Sequence, residues 1–251
     1  MVKEQVKSRV RTLFRCSAEG MEGGYRVRVA RRGGPDWREA EVCHLLISVG
    51  QPYHEGAKLV AVVDWVNERF RRCHVTVADT LYRHNLGALT GARPEFAHDV
   101  TARRGREWVA RNRGILARLA MPVALHRWDE WLAHPGYPAA RSAVDGFMAA
   151  EPRFAALVDE HVGEVLTRVR ARGTPLTPAC PAGFREFLVE ELACMELFTG
   201  VVQGAEAYPG SLGRAMEGCR TLPGAPPGLV SRRVAQLDFR RRRGEGKFQG
   251  P

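Results

Sequence analysis

Val42-Cys-His-Leu-Leu-Ile-Ser48 is a continuous apolar run of strand length, and a second run, Cys73-His-Val-Thr-Val-Ala78, follows it at a distance of one helix. A short apolar run without polar alternation reads as a strand covered on both faces, as in a parallel sheet. Between the two, the segment from Glu55 to Phe70 carries Leu59, Val62, Val63 and Val66 at helical spacing, giving one inward face. Strand, helix, strand over this length is a βαβ unit with a right-handed crossover and parallel strands. The expected fold class is α/β, with a central, mostly parallel sheet.

Outward from this unit the pattern continues. Tyr25-Arg-Val-Arg-Val-Ala30 alternates with period two and reads as a further strand. Residues 1–24, ending in Gly20 and Gly23-Gly24, read as a mobile N-terminal arm. Downstream, a long helix is expected from about Thr101 to Ala120 and a strand from Pro122 to His126. Helices are expected over Ala139–Ala149 and Glu151–Arg172, the second opened by Pro152. Cys180-Pro-Ala-Gly183 reads as a break before a helix from Phe184 to Phe198. Gly200 to Gly228 is rich in glycine and proline and shows no clear period. Residues 240–251 read as a basic, disordered tail. With no internal repeat and no interdomain linker, residues 25–239 are expected to form one domain.

Arginine dominates the charge. Lys+Arg number 38 against 28 Asp+Glu, a net charge of +10 over 251 residues. Such an excess favours a polyanionic partner, nucleic acid or an acidic membrane surface. No apolar window approaches the roughly 20 residues of a membrane span. Met1 to Phe14 is charged and lacks the apolar core of a secretory signal, so a cytoplasmic protein is expected. The six cysteines are scattered and contain no C-x-x-C pair, which suggests neither a zinc site nor a disulfide framework.

Three groups of residues could carry chemistry. Ser48 ends the first buried strand, where parallel sheets form their ligand crevice, and Gly50 just beyond it leaves the hydroxyl unshielded. His44 shares its face but lies four residues upstream, roughly 13 Å along a strand, too far for a serine–histidine pair. On the helix Phe187-Leu-Val-Glu-Glu-Leu192, Phe187 and Glu191 share a face, and Glu191 sits among Leu188, Leu192 and Met195. A carboxylate beside an apolar face needs a partner such as a cationic ligand group. Helical phase places Glu190 in solvent instead. Finally, Arg104, Arg111 and Arg118 recur every seven residues, and Arg103, Arg106 and Arg113 extend the positive surface, with Glu107 the only acid among them. Like charge piled on one helix points to phosphate binding.

Together these features resemble the cyclodipeptide synthases. Leu46-Ile-Ser-Val-Gly-Gln-Pro-Tyr53 follows the second half of that family's first-strand pattern, with Ser48 on its serine, Gln51 on its variable position and Tyr53 on its aromatic. Trp65-Val-Asn-Glu-Arg-Phe70, Asp79-Thr80, the arginine-rich helix and Phe187-Leu-Val-Glu-Glu191 follow in the family's order. Tyr208-Pro209 matches the pair carried by one subfamily. There are three departures: Leu46 stands where the family has glycine, Phe187 stands where it has tyrosine, and His44 falls at a shifted spacing.

The resemblance implies a single Rossmann-like domain similar to the catalytic domain of class I tyrosyl- and tryptophanyl-tRNA synthetases. It implies an aminoacyltransferase that condenses two aminoacyl-tRNAs into a diketopiperazine through aminoacyl and dipeptidyl esters of Ser48. In that scheme Glu191 holds the substrate's α-ammonium group, and Tyr208 and Phe187 stand beside the acyl group. Leu46, Gly50, Gln51, Tyr53, Asp79, Cys194, Met195 and Pro209 surround the substrate. Arg103, Arg104, Arg106, Arg111, Arg113 and Arg118 meet the tRNA. No cofactor, ATP or metal is expected, nor any membrane contact, and the protein is expected to be a monomer. Phe187 and Leu46 leave room for a second reading, a Rossmann-like RNA-binding protein without activity, and Ser48 for a third, a serine hydrolase of acyl esters.

Overall fold

The computed structural model describes residues 24–31, 35–210 and 213–241. The βαβ unit consists of β2 (Val42–Ser48), α1 (Gly56–Asn67) and β3 (Arg72–Ala78). β2 and β3 are parallel and in register from Val42 opposite Arg72 to Ser48 opposite Ala78. β1 (Tyr25–Arg31), β4 (Val123–Arg127), β5 (Ala205–Tyr208) and β6 (Arg233–Arg241) complete a six-stranded sheet in the spatial order β1-β6-β5-β2-β3-β4. β1 and β6 pair antiparallel, and all other neighbours are parallel. The sheet is mostly parallel, as expected.

β6 extends past the boundary drawn at residue 239. Arg240 and Arg241, assigned from sequence to a disordered tail, pair with Arg26 and Tyr25. The rest of the expected tail, and the arm up to residue 23, lie outside the described residues. β5 falls within the glycine- and proline-rich stretch that showed no period.

The strands alternate between two cores. Cys43, Leu45 and Ile47 of β2, Val75 and Val77 of β3, and Ala205 and Ala207 of β5 face α1 and α3 (Pro94–Leu116), with Trp37, Trp65, Phe70 and Trp108 filling the layer. Because side chains alternate with period two, the opposite face of these strands carries His44, Leu46, Ser48, Thr76, Ala78, Glu206 and Tyr208. Leu46 and Ala78 pack there with α2 (Arg83–Thr90), α5 (Tyr137–Ala150), α6 (Pro152–Ala171) and α7 (Cys180–Val202). His44 is buried and bonded to Thr76 at 2.9 Å, and the indole of Trp131, on α4 (Trp128–Leu132), donates to the same hydroxyl at 3.0 Å. Burial pushes His44 down to about 4, so it is a neutral packing residue.

Two helices start earlier than the sequence suggested. α3 begins at Pro94, a proline placed where its missing N–H costs nothing, and it ends at Leu116, so Arg118 lies beyond it. α7 begins at Cys180, and the Cys180–Gly183 segment is its first turn rather than a break. Gly183 is there because a Cβ would run into Ala88 of α2. The two short helices α8 (Arg214–Gly218) and α9 (Pro227–Ser231) connect β5 to β6. Five cysteines among the described residues are buried and unpaired. Among those residues no helix is long and apolar enough to cross a membrane.

Candidate active site

Ser48 is the last residue of β2. The chain turns sharply after it: Gly50 takes a left-handed φ of 87°, and the Gln51 N–H bonds back to the Ser48 carbonyl at 3.2 Å. The Ser48 N–H donates to Nδ1 of the buried His54 at 2.9 Å, and the Trp108 indole donates to the His54 carbonyl at 3.1 Å. His54 thus fixes the backbone of the turn. Its imidazole is spent on the serine's N–H rather than its hydroxyl, and burial lowers it to about 3.

The Ser48 hydroxyl meets phenols instead. Its Oγ lies 3.4 Å from the Tyr208 hydroxyl, which lies 3.0 Å from that of Tyr53. Tyr82 reaches the same place: its hydroxyl engages Gln51 and Ser48. Burial first raises all three tyrosines above their ordinary range, aided by the Tyr208 phenol and Glu191 at Tyr53 and Tyr82 and by Glu191 and Glu206 at Tyr208. They are neutral hydrogen-bonding groups at physiological pH. Tyr82 was not singled out in the sequence, although it follows Asp79-Thr80 at the carboxyl end of β3.

Two adjoining cavities open here. An inner one of about 140 Å³ contains Ser48, with Leu46, Met195 and Met216 among its apolar walls. An outer one of about 360 Å³ extends to Arg168 of α6 and to Arg172 just past its end. Gln51, Tyr53, Tyr82, His161, Phe187 and Glu191 line both. The inner wall also includes Glu206 and Arg232, a buried pair joined by two hydrogen bonds of 2.7 and 2.5 Å. Glu206 stands two residues before Tyr208 on β5 and therefore on its face. The sequence hides that signal, because a four-residue strand shows too little alternation to reveal a face.

Phe187 and Glu191 are brought to the cavities on one face of α7, as their spacing implied. Glu191 is half-buried and raised to about 7, chiefly by burial, with Arg232 pulling it down and Glu206 pushing it up. The solvated place expected for Glu190 is wrong. Glu190 is buried and accepts from Arg83 at 2.8 and 2.5 Å and from the Trp128 indole at 2.9 Å, with His84 at 3.0 Å. Burial raises its carboxyl, but the bonds from His84 and Arg83 outweigh this and hold it below the ordinary range. α2 and α4 bury a side of α7 that the helical period alone left open.

Of the other expected substrate contacts, Leu46, Gln51, Tyr53 and Met195 line the inner cavity. Asp79 does not. It is buried, ion-paired to Arg127, and accepts from the Thr80 N–H at 2.8 Å, capping the 3₁₀ turn Thr80–Tyr82. Gly105 of α3 leaves room for that ion pair, since a Cβ there would strike both partners. Cys194 and Pro209 are buried outside the lining of both cavities, and Gly50 acts through the turn.

The arginines of α3 also differ from expectation. Arg103, Arg106, Arg111 and Arg113 are exposed and Arg104 half-buried, but α1 and the residue before it supply acids that the sequence reading did not connect. Arg111 pairs with Glu55 at 3.2 Å and Arg118 with Asp64 at 2.9 Å. Exposed pairs of this kind are worth about 0–1 kcal/mol and exchange readily for another anion.

The family model described as cyclodipeptide synthase matches residues 36–194. Among solved structures, a cyclodipeptide synthase from Fluoribacter dumoffii is 24% identical, covers 88% of this chain and 100% of its own, and superposes with a TM-score of 0.80. One from Candidatus Glomeribacter gigasporarum, bound to Phe-tRNAPhe, is 19% identical over 84% of this chain and 93% of its own, with a TM-score of 0.62. A Mycobacterium tuberculosis protein, described as demonstrating that cyclodipeptide synthetases are related to type I tRNA synthetases, is 14% identical over 90% and 100%, with a TM-score of 0.63. No curated protein sequence matches the chain.

Proposed function

Because this chain belongs to the cyclodipeptide synthase family, whose model spans residues 36–194, we propose that it assembles its product on Ser48, through an aminoacyl and then a dipeptidyl ester. It is an enzyme that uses aminoacyl-tRNAs and forms peptide bonds. The observation that carries the serine reading is the hydroxyl itself. Ser48 Oγ stands in the inner cavity bonded to Tyr208, with Glu191 on the same cavity wall.

Ser48 Oγ attacks the ester carbonyl of the first aminoacyl-tRNA. The bond to the ribose oxygen breaks, the serine proton ends on that oxygen, and tRNA leaves. The amine of the bound aminoacyl group then attacks the carbonyl of a second aminoacyl-tRNA, releasing that tRNA and leaving a dipeptidyl ester. Finally the dipeptide's free amine attacks the Ser48 ester, the ring closes and Oγ regains a proton. This last step is intramolecular and gains from proximity. The first peptide bond replaces a tRNA ester and the second the Ser48 ester formed from one, so the scheme invokes neither ATP nor a metal.

Glu191 as a carboxylate holds the α-ammonium group, and its affinity for a proton near neutrality suits it to take one as the amine becomes nucleophilic. Tyr208, a neutral phenol, orients Ser48 Oγ. The relative from Candidatus Glomeribacter gigasporarum is bound to Phe-tRNAPhe, and aminoacyl-tRNA is the ligand proposed here. Its phosphates would meet the exposed arginines of α3, and its aminoacyl end would pass the outer cavity beside Arg168 and Arg172. A serine hydrolase is not favoured, since His54 serves the backbone and His44 bonds to Thr76.

The test is intact-mass analysis after incubation with a mixture of aminoacyl-tRNAs and an acid quench. An added aminoacyl mass mapping to Ser48, and its loss together with the diketopiperazine in Ser48→Ala, is the expected result. An active Ser48→Ala enzyme, or an adduct on another residue, overturns the proposal.

A further inference from the structure

Phe187 stands where the resembled family has a tyrosine, and an aromatic ring without a hydroxyl can pack but cannot hold an amino group. The structure places another phenol against it. The Tyr82 and Phe187 rings meet edge to face, with centroids 5.2 Å apart at 68°. Tyr82 lines both cavities, as do Phe187 and Glu191, and its hydroxyl engages Ser48 and Gln51.

Its position is fixed from both sides in sequence. Asp79, locked to Arg127, caps the turn Thr80–Tyr82 at the end of β3, and the Thr80 hydroxyl donates to Asp129 at 2.6 Å. Arg83, the next residue, is bonded to Glu190 on α7, one position from Glu191. The end of β3 and the glutamate helix are thereby clamped together on either side of the phenol. Ala78, four residues before Tyr82, is the register partner of Ser48. The phenol therefore belongs to the same sheet edge as the serine.

We infer that Tyr82 is a substrate-binding residue of this enzyme: with Glu191 it holds the α-amino group of the aminoacyl unit on Ser48, supplying from the turn after β3 the hydroxyl that Phe187 does not supply from α7. A phenol has one donor and two acceptor sites. It can donate to Gln51 or Ser48 while accepting from the ammonium group, which leaves Glu191 to carry the charge. The inference rests on the serine-ester reading above.

The test compares Tyr82→Phe, Phe187→Tyr and the double variant, measuring aminoacyl adduct on Ser48 and diketopiperazine yield. Tyr82→Phe should lower the rate of adduct formation about ten- to a hundredfold, the cost of one hydrogen bond to a charged group. Its far-UV spectrum and tRNA affinity should stay unchanged. Adding Phe187→Tyr should restore at least tenfold of that loss, which a merely structural role for Tyr82 would not allow. Adduct formation in Tyr82→Phe at the wild-type rate overturns the inference, and so does a double variant no better than Tyr82→Phe. A wild-type enzyme that makes diketopiperazine without any adduct on Ser48 defeats the serine-ester reading and this inference with it. A wild-type adduct with an indifferent Tyr82→Phe defeats this inference alone.

Discussion

Glu190 and Glu191 are consecutive on α7 yet do opposite things: Glu190 is locked by Arg83, His84 and Trp128, whereas Glu191 opens onto the cavity that holds Ser48. A helical step of about 100° separates their directions. The same substitution should therefore fail in two different ways. Glu190→Gln leaves Arg83 partly uncompensated and should destabilise the fold by about 3 kcal/mol, the lower range for a broken buried pair. Glu191→Gln should unfold at no lower a denaturant concentration than wild type but lose adduct formation by about ten- to a hundredfold. Urea titrations beside adduct kinetics separate the two. Equal losses of stability would show that both carboxylates are structural.

Glu191 also sets a pH dependence. Its carboxyl is raised from 4.5 to about 7 in the free enzyme, and only the carboxylate can pair with an ammonium group. First-step acyl transfer at low substrate should therefore rise with pH through about 7 and then level, and Glu191→Gln should lack that rising limb. The Glu191 contribution to stability moves the other way. Between 4.5 and about 7 folded Glu191 holds a proton that the unfolded chain has lost, so its own contribution to unfolding free energy falls as pH rises across that window, while His44 and His54, kept neutral by burial, contribute a rise as pH climbs toward 6.5. Glu190 and Glu206 are held below their ordinary range, so their contributions are lost at lower pH, outside this window. From pH 5 to pH 8 the change in urea midpoint should be more positive in Glu191→Gln than in wild type.

Much of this site could be read from residues 42 to 78, because burial and period two fix both the strand and the face on which Ser48 sits. Glu191 and Phe187 could be read from one helical face. The partners of that face could not. Glu190 was assigned to solvent because period alone does not reveal that α2 and α4 cover the opposite side of α7. β5 is four residues long and lies among glycines and prolines, so no period marks Glu206 as a partner of Tyr208's face. Asp79 was expected at the substrate. Its carboxylate is instead paired with Arg127, 48 residues away at the end of β4, a contact that no local pattern encodes.

The basic surface should act on tRNA through its exposed members. Arg106 and Arg113 are exposed on α3, whereas Arg111 and Arg118 already have acidic neighbours. Arg106→Glu with Arg113→Glu should weaken aminoacyl-tRNA binding and reduce the slope of log affinity against log salt by about one to two, because fewer counterions are released. The urea midpoint should move little, since neither side chain belongs to the core. Filter binding across a salt series measures this, and an unchanged slope would remove α3 from the interface.

Tyr53 and Tyr208 test whether the phenols act on Ser48 directly or only pack around it. Tyr208 bonds to the serine, and Tyr53 reaches it only through Tyr208. Tyr208→Phe should therefore slow adduct formation by about tenfold, the value of one net hydrogen bond, and Tyr53→Phe by less. Both rings stay, so packing against His54 is preserved. Once Tyr208 has lost its hydroxyl, Tyr53 has no route to Oγ, and the double variant should be no slower than Tyr208→Phe alone. Such non-additivity is the mark of groups acting in series. If the two losses simply multiply, Tyr53 contacts the substrate independently. If Tyr53→Phe is the more damaging, the serine is oriented from the Tyr53 side, and the chain Tyr53–Tyr208–Ser48 is not the catalytic arrangement. Ultraviolet titration adds a check without turnover: Tyr53, Tyr82 and Tyr208 should not ionise near pH 10.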